Sequence, residues 1–243
     1  MTRQAAQETG KVWLIGAGPG AADLITVRGA RILAEADVVL YDALVTADML
    51  ALCPQAEKIS VGKRSGQRST AQAAINQLLV DCARKYERVV RLKGGDPMLF
   101  GRADEELGAL EAHGIAVEVV PGITTAFAAA AATLQPLTKR GIARSIAFFT
   151  SATAPGEPDL LTLPNTDTLI QYMGGREAIV TARKLLEQGR SPELPVVIVE
   201  NCSLPSQRIS RISLRELEQG LGERAGPVLV MIGEAMAQRP SSR

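Results

Sequence analysis

The sequence is poor in the residues that build common metal and hydrolase sites. It has one histidine, His113, and three cysteines that lie far apart along 243 residues, Cys53, Cys82 and Cys202. A tetrahedral zinc site needs histidines or cysteines at short spacings, and a Ser-His-Asp triad needs a histidine beside its serine. The composition argues against both, so we expect no metal. Dispersed, odd-numbered cysteines are typical of a reduced, cytoplasmic protein.

Aromatic residues and net charge are also scarce. Aromatic side chains make up 3% of the chain and the formal net charge is +1. Base-stacking nucleic-acid surfaces use aromatic residues, and nucleic acids and membrane surfaces attract basic proteins. The longest small-apolar run, AFAAAAATL, is too short to span a bilayer, and the polar start, MTRQAAQETG, lacks the apolar centre of a signal peptide. We therefore expect a cytoplasmic protein without nucleic-acid or membrane partners.

What the sequence does contain is an alternation of short β-branched runs with longer helical patterns. Runs such as VWLI, DVVLY, RVVRL and PVVIVE are continuously apolar, as expected of strands covered on both faces. This alternation predicts an α/β fold with mostly parallel sheets, in which Thr26 and Ser213 are expected to cap the starts of helices. The rhythm breaks at VVPGITTA, which predicts an N-terminal α/β domain over 11–121 and a C-terminal α/β domain over 122–238.

Glycines follow the first predicted strand in VWLIGAGPGAADLIT, Val12 to Thr26. Together with Asp42 at the end of the next strand, they suggest the NAD-binding turn of an oxidoreductase. In such a turn, however, the helix opens within the glycine motif, so that its amides meet the pyrophosphate. Here Pro19 removes one amide donor, and GAADLI separates the glycines from the predicted helix cap at Thr26. The loop therefore favours packing against a flat ligand, with an NAD-dependent oxidoreductase as the alternative of another class.

Two further segments rich in small residues also suggest places where a ligand could bind. In VVRLKGGDPMLFGR, Gly94 and Gly95 follow a strand, where bare backbone lets a ligand approach closely, and Asp96 adds a carboxylate acceptor. In PGITTAFAAAA, Thr124 and Thr125 offer hydroxyl groups at a predicted helix start. The alternatives are a plain glycine turn capped by Asp96 and, for the alanine-rich helix, close helix packing or a subunit contact.

Eight motifs, taken in order, resemble those of the tetrapyrrole methylase family: GAGPG, YDALV, VGKR, VVRLKGGDPMLFGR, VPGIT, PLTKRG, QYMG and VVIVEN. They extend from about Lys11 to Ala237. The resemblance implies two α/β domains with an active-site cleft between them, usually in a homodimer. It implies methyl transfer from S-adenosylmethionine to C2 and C7 of uroporphyrinogen III, giving precorrin-2 and S-adenosylhomocysteine for sirohaem, cobalamin or haem d1. The alternative substrate is another tetrapyrrole or corrin precursor.

The resemblance also assigns roles to residues of this chain. Asp42 and Lys63 match the family's proposed acid–base pair, and Arg102 and Glu105, which could orient each other, are further catalytic candidates. Arginines bind carboxylates in a bidentate manner, so Arg64 and Arg140 are candidates for binding the substrate. The residues implied in binding the methyl donor are Pro19, Gly94, Gly95, Asp96, Leu99, Thr124, Thr125, Met173 and Cys202.

These assignments have alternatives. For Asp42 and Lys63 the alternative is a structural or substrate-binding role, and for each arginine it is a surface salt bridge. Two positions also depart from the family's pattern. Lys139 stands in PLTKR where members usually have histidine, and Thr150 to Ala152 read TSA where members usually have TGH. Both departures are expected to border the tetrapyrrole, so they concern the choice of substrate rather than the donor.

Overall fold

The computed structural model describes residues 9–62, 72–151, 162–175 and 177–238. The chain divides into two compact units, Met1–Thr124 and Thr125–Arg243. Each unit contains a five-stranded sheet and helices, so the predicted α/β class is confirmed. The division lies within VVPGITTA, where the sequence predicted a boundary after Pro121.

The first unit is built on a fully parallel sheet. Its strands are β1 (Lys11–Gly16), β2 (Val38–Tyr41), β3 (Glu57–Ser60), β4 (Arg88–Lys93) and β5 (Val117–Val120), in the spatial order β3-β2-β4-β1-β5. Its helices are α1 (Val27–Leu33), α2 (Ala47–Leu50), α3 (Gln72–Lys85) and α4 (Ala103–Ala112). Because the strands run in one direction, the loops that follow them share one edge of the sheet.

Helices cover both faces of this sheet, which explains the continuously apolar strands. On one face, α3 and α4 pack with Leu14 and Leu40, and on the other, α1 and α2 pack with Ile15 and Leu92. Neighbouring strands β1 and β4 therefore lead to helices on opposite faces. This is the arrangement at which α/β sheets usually bind ligands, in the crevice at the carboxyl ends of the strands.

The second unit contains a mixed sheet. Its strands are β6 (Ile146–Thr150), β7 (Thr168–Tyr172), β8 (Pro195–Glu200), β9 (Arg208–Ser213) and β10 (Val228–Ile232), in the order β6-β7-β10-β8-β9. Its helices are α5 (Thr125–Thr133), α6 (Glu177–Glu187) and α7 (Leu214–Gln219). The β6–β7 pair is parallel, whereas the pairs β7–β10, β10–β8 and β8–β9 are antiparallel. The parallel arrangement expected from the sequence thus holds in the first sheet and differs in the second.

The edge strand β9 was missed by a search for apolar runs. Its sequence, RISRIS, has two exposed arginines and no fully buried residue, because one face of an edge strand in an antiparallel pair can remain in water. The connection from β8, residues 201–207, is shorter than the dozen or so residues that a parallel crossover needs. An antiparallel neighbour is the physical consequence of this short connection.

Side-chain caps set the helix starts that the sequence predicts. The Thr26 hydroxyl accepts the N–H of Gly29 at 3.1 Å, so α1 begins at Val27, and Ser213 forms a reciprocal capping box with Glu216 at the start of α7. A short 3₁₀ helix, Ala22–Leu24, separates α1 from the glycines of GAGPG. Among the described residues, no helix is both long and apolar enough to cross a membrane.

Candidate active site

The glycine loops that follow β1, β4 and β5 pack directly against one another. Gly18 and Gly95 exchange two backbone hydrogen bonds, with N···O distances of 3.1 and 2.7 Å. A Cβ on Gly122 would lie 2.2 Å from the oxygen of Gly95 and 2.7 Å from the Cα of Gly16, so no side chain fits there. Gly95 has a φ of +68°, in the left-handed region that glycine adopts readily. The loops therefore present backbone at the crevice between β1 and β4.

Asp96 ties two of these loops together. Its Oδ2 accepts the N–H of Gly122 at 2.9 Å, and its Oδ1 accepts the N–H of Met98 at 2.8 Å. The carboxylate thus caps its own turn, the structural role that the sequence left open, and also holds the start of PGIT. A carboxylate offers about four lone-pair directions, so these two bonds leave it able to accept a ligand hydroxyl as well.

The other donor-site candidates of the first unit lie on the same loops. Pro19, Gly94 and Leu99 are half-buried, and Thr124 is buried. A Cβ on Gly94 would come 3.2 Å from the Cβ of Leu44, so the space above this glycine is already narrow. The structure therefore gathers six predicted residues at one edge of the first sheet: Pro19, Gly94, Gly95, Asp96, Leu99 and Thr124.

Asp42 lies at the same edge, after β2, and is bonded to a buried arginine. Nη2 of Arg91 donates to Oδ1 of Asp42 at 2.5 Å, and Nε of Arg91 donates to Oε1 of Glu106 at 3.0 Å. Nζ of Lys93 donates to Oε2 of Glu106 at 2.8 Å. Glu106 is fully buried and the two cations are 3% exposed, whereas the side chain of Asp42 is 30% exposed. Asp42 is therefore the member of a charge-balanced buried cluster that reaches the surface.

Sequence reasoning missed Arg91, Lys93 and Glu106, although a signal exists. Positions 91 and 93 alternate along a strand and so lie on one face of it, and charges on a covered strand require partners. Burial lowers the pKa of the Lys93 amine, and the Arg91 charge lowers it further, while Glu106 opposes the shift. The unusual residue pattern is thus the two cations, Arg91 and Lys93, in the buried part of the strand RVVRLK.

Arg102 and Glu105 form a bidentate pair at the start of α4. Nε and Nη2 of Arg102 donate to the two carboxylate oxygens of Glu105 at 2.6 and 2.8 Å. The hydrogen bond to Glu105 raises the pKa of Arg102, and the same bond lowers the pKa of Glu105. Arg102 and Phe100 both have a φ of +55°, and backbone strain of this kind is concentrated at functional sites. The pair is exposed, so it forms a surface salt bridge that a ligand can also reach.

In the second unit, two predicted donor-site residues share one edge of the sheet. Met173 follows β7 and Cys202 follows β8. Their neighbours Gly174 and Asn201 donate backbone hydrogen bonds of 3.2 and 3.1 Å to the segment that enters β10. Met173 has a φ of +54° and is about half exposed, at 51%. Burial raises the pKa of the Cys202 thiol to about 11, so Cys202 is a neutral packing residue rather than a nucleophile.

Thr125 is placed near this edge by the end of β7. It is the first residue of α5, and the N–H of the next residue, Ala126, donates to the phenol oxygen of Tyr172 at 3.2 Å. Tyr172 immediately precedes Met173. The start of the alanine-rich helix is thus fixed to the strand end that carries the predicted adenosyl contact.

A second buried carboxylate, Glu200, ends β8 and was not predicted. It accepts the N–H groups of Ala225 and Gly226 at 2.8 and 3.0 Å, and Nη2 of Arg208 lies 2.8 Å from it. The hydrogen bond from Arg208 is the largest cause that lowers the pKa of Glu200 to about 2. Arg208 and Ala225 also line a cavity of about 630 Å³ together with Gly175, a size typical of small-molecule sites.

The structure does not group Arg140 with Met173 and Cys202. Arg140 is exposed in a turn that two backbone hydrogen bonds close between Lys139 and Ala143, at 3.0 and 2.8 Å. The segment before this turn is bonded to the first residue of β7, the end of that strand opposite Met173. The two remaining predicted basic residues, Lys63 and Arg64, lie outside the described residues.

The structure describes two of the three residues in the TSA departure from the family pattern, Thr150 and Ser151. Thr150 ends β6, and the hydroxyl of Ser151 accepts a hydrogen bond from Nε2 of Gln171 at 2.6 Å. Gln171 is fully buried in β7. Gln171 therefore holds Ser151 against the sheet through a hydroxyl group that the family's usual glycine would lack. Ala152 lies outside the described residues.

A parallel sheet with bare glycine loops at its switch point, followed by a mixed-sheet unit, defines a ligand-binding α/β protein. The sequence narrows this class to one family. The chain belongs to the tetrapyrrole (corrin/porphyrin) methylase family, whose sequence profile matches residues 11–218. The family resemblance predicted from eight motifs is thereby confirmed.

Solved structures of similar proteins cover nearly the whole chain. Uroporphyrin III C-methyl transferase from Thermus thermophilus, in its native form, is 43% identical with a TM-score of 0.82, covering 93% of this chain and 98% of that one. Its complex with S-adenyl homocysteine is 42% identical with a TM-score of 0.82, covering 93% of each chain. The siroheme synthase of Psychrobacter sp. (strain PRwf-1) is 43% identical over 94% of this chain and 48% of its own length. The chain thus spans about half the length of the curated relatives it matches.

Proposed function

We propose that the protein is an S-adenosylmethionine-dependent C-methyltransferase that methylates uroporphyrinogen III at C2 and C7. The products are precorrin-2 and S-adenosylhomocysteine. The observation that carries the proposal is the similarity to the Thermus uroporphyrin III C-methyl transferase, which covers nearly all of both chains. That the same enzyme was solved with S-adenyl homocysteine supports the choice of methyl donor.

The donor-binding residues proposed for each unit offer chemical groups that suit the different parts of S-adenosylmethionine. In the first unit, Gly94 and Gly95 offer backbone, and Asp96 offers a carboxylate already fixed in orientation by two N–H groups. Such fixed acceptors suit the hydroxyl and amino groups of the donor's ribose and amino-acid portions. In the second unit, the half-exposed thioether of Met173 and the buried, neutral thiol of Cys202 suit contact with the adenosyl group.

For this reaction the protein must align the methyl donor with the substrate, and it must supply a group that transfers a proton. Transfer of a methyl group from a sulfonium is an in-line displacement by an electron-rich pyrrole carbon, and rigid loops can hold donor and acceptor in line. A base must then remove a proton to restore the ring system. We assign this chemistry to Asp42 with Lys63, and we assign Arg102, oriented by Glu105, to the substrate. Arg64 and Arg140 complete the proposal as contacts of the substrate carboxylates.

The oxidoreductase alternative is not favoured. A dinucleotide site needs a helix that opens at the glycines, but here α1 begins at Val27, after a 3₁₀ helix. Asp42, the candidate ribose ligand in that interpretation, is bonded to Arg91 instead. A methylase acting on another tetrapyrrole or corrin precursor is the second candidate, and the departures at Lys139 and Ser151 are the observation that favours it.

Calorimetric titration with S-adenosylhomocysteine and, separately, with NAD tests the class of cofactor. We expect saturable binding of S-adenosylhomocysteine and none of NAD at the same protein concentration. Binding of NAD alone would overturn the methylase proposal.

A turnover assay with uroporphyrinogen III and S-adenosylmethionine tests the substrate. We expect the chromophore of oxidised precorrin-2, with two methyl groups added by mass spectrometry. Binding of S-adenosylhomocysteine without any methylated product would reject uroporphyrinogen III and leave the second candidate.

We further propose that the protein is a homodimer, as the family resemblance implies, and that it is cytoplasmic, as its dispersed cysteines indicate. Light scattering coupled to size-exclusion chromatography should give twice the 25.8 kDa mass of the chain. A mass equal to that of one chain, over micromolar to millimolar concentrations, would reject the dimer without affecting the proposed chemistry.

A further inference from the structure

Arg91 lies on a covered face of the first sheet, yet its side chain reaches the exposed edge. Strands β2 and β4 pair with Leu40 opposite Arg91, and Asp42, two residues beyond Leu40, lies on the same face of the sheet. Nη1 of Arg91 donates to the backbone oxygens of Leu40 and Leu92 at 3.5 and 3.2 Å. Nε is taken by Glu106, and Nη2 by Asp42. Every nitrogen of the guanidinium therefore has a partner, which fixes its plane.

Glu106 is the anchor of this arrangement. Its two oxygens accept from Arg91 and from Lys93, and Nε2 of Gln72 lies 3.4 Å from Oε1. The side chain is fully buried on α4. In the described part of the chain, the hydrogen bonds of Lys93 lead to Glu106 and none to Asp42. Two cations thus share one buried anchor, and one of the two also holds the residue at the edge.

Stability alone does not account for such a cluster. Replacing a buried ion pair with apolar residues of similar volume is often neutral or stabilising, because the charges lose their hydration on burial. A fixed guanidinium beneath Asp42 has a use that an apolar residue lacks. It binds one carboxylate oxygen and so restricts rotation of the group about its Cβ–Cγ bond.

We propose that Arg91, held in place by Glu106, is a positioning residue for the carboxylate of Asp42. The inference rests on the proposed function, in which Asp42 carries the proton chemistry. Arg91 does not touch the substrate in this proposal. It acts by holding one oxygen of Asp42 at the carboxyl edge of β2, so that the other is presented in a constant direction.

The decisive measurement is a double-mutant cycle on turnover. We expect Arg91→Met to lower kcat by about 30- to 100-fold, as a misplaced catalytic group does, while the dissociation constant of S-adenosylhomocysteine stays within about threefold of wild type. We expect Asp42→Asn combined with Arg91→Met to be no slower than Asp42→Asn alone, within about twofold. Multiplying effects would show that Arg91 acts independently of Asp42 and would overturn the proposal.

Lys93→Met is the matched control. It removes the other cation from Glu106, on the same face of the same strand, but leaves the bond between Arg91 and Asp42 intact. We expect kcat within about threefold of wild type. An equal loss in Lys93→Met and Arg91→Met would assign the effect to the charge balance around Glu106 and overturn the positioning role.

Folding and turnover are separated by two further experiments. If Arg91→Met does not fold, Arg91→Lys keeps a positive charge beside Glu106 but offers one nitrogen in place of three, and the cycle is run with Arg91→Lys instead. A crystal structure of either variant shows the position of the Asp42 carboxylate independently of any turnover measurement. We expect the Asp42 carboxylate to rotate or to lose defined density, and an unchanged carboxylate overturns the proposal. Absence of product with the wild-type protein, by contrast, counts against the proposed function, and the crystal structure still decides the positioning role.

Discussion

Asp42 combines two properties that a proton-transfer group needs. One oxygen is bonded to a fixed guanidinium, and the side chain stays 30% exposed, so a substrate can reach it. Asparagine has nearly the same shape and can still accept a hydrogen bond from Arg91, but it cannot take up a proton as a carboxylate does. Substitution with asparagine therefore separates the proton chemistry from the shape of the site.

We predict that Asp42→Asn lowers kcat by about 100-fold or more, the usual contribution of a general acid or base. The donor should bind as before, because Asp42 is not among the residues proposed to hold it. Turnover with uroporphyrinogen III and titration with S-adenosylhomocysteine measure the two quantities. Asp48→Asn, in the exposed first turn of α2, is the matched control and should be fully active. Undiminished turnover in Asp42→Asn would return Asp42 to a structural role.

Asp42 also shows which part of the site could be predicted from the sequence. Its place in YDALV, at the end of a predicted strand, is local information, and so is the GGDP turn. Its partner Arg91 is 49 residues away in the sequence and is brought to it by the pairing of β2 with β4. Strand order depends on crossovers over many residues, so the acid was predictable and the arginine that holds it was not.

At the scale of elements, the three glycine loops act as one unit because their backbones are in contact. Gly16 ends β1, whereas Gly95 and Gly122 lie in the loops after β4 and β5. A Cβ on Gly16 or Gly122 would collide with the backbone of the neighbouring loop, and Gly95 has a positive φ that strains any other residue. Because such contacts transmit a displacement directly, a single methyl group in one loop should move the others.

We predict that Gly122→Ala lowers the free energy of unfolding by about 1–3 kcal/mol, the usual cost of overpacking. Its Cβ would lie 2.2 Å from the oxygen of Gly95, so the loops must separate and the affinity for S-adenosylhomocysteine should fall by about tenfold or more. Chemical denaturation and calorimetric titration measure the two effects. Normal donor affinity in a folded Gly122→Ala protein would remove these loops from the donor site.

Gly108→Ala provides the contrasting substitution. Gly108 lies within α4, and a Cβ there would meet nothing within 4 Å. Alanine should raise the free energy of unfolding by about 0.5–1 kcal/mol through its higher helix propensity, with donor affinity unchanged. If both substitutions weakened donor binding alike, the loss would not be specific to the glycine loops.

Elements that are marked by neighbouring residues in the sequence were predicted well, whereas an element that depends on pairing with another strand was not. The caps at Thr26 and Ser213 are read directly from neighbouring residues, and both are present in the structure. The edge strand β9 lacks an apolar run, because only its pairing with β8 makes it a strand. Its short connection to β8, rather than its composition, is the signal that could have revealed it.

At the scale of the whole molecule, each unit encloses one fully buried carboxylate among its described residues: Glu106 in the first and Glu200 in the second. Neither was predicted, because each is made possible by partners from distant segments. Glu200 binds the backbone N–H groups that lead into β10 and the side chain of Arg208 on β9. These bonds join three strands of the second sheet, so the ionisation of one residue bears on the stability of the unit.

The stability of the molecule should therefore depend on the ionisation of Glu200. The hydrogen bond from Arg208, together with the N–H groups of Ala225 and Gly226, lowers the pKa of Glu200 from an ordinary 4.5 to about 2 in the folded protein. A carboxyl whose folded pKa lies below its unfolded value adds stability that is complete above the unfolded value. That stability is lost as the pH falls from about 4.5 through about 2.

We predict that Glu200→Gln lowers the free energy of unfolding at pH 7 by about 2 kcal/mol, the range for hydrogen bonds to a charged group. The difference from wild type should narrow as the pH is lowered below about 4.5, because wild-type Glu200 then gains a proton during unfolding and its advantage fades. Urea denaturation followed by circular dichroism at pH 7, 5, 4 and 3 measures it. Glu193→Gln, whose ion pair with Arg215 is exposed, should change stability by less than about 0.5 kcal/mol at each pH. A difference between Glu200→Gln and wild type that stays constant from pH 7 to pH 3 would show that the charge of Glu200 does not stabilise the second unit.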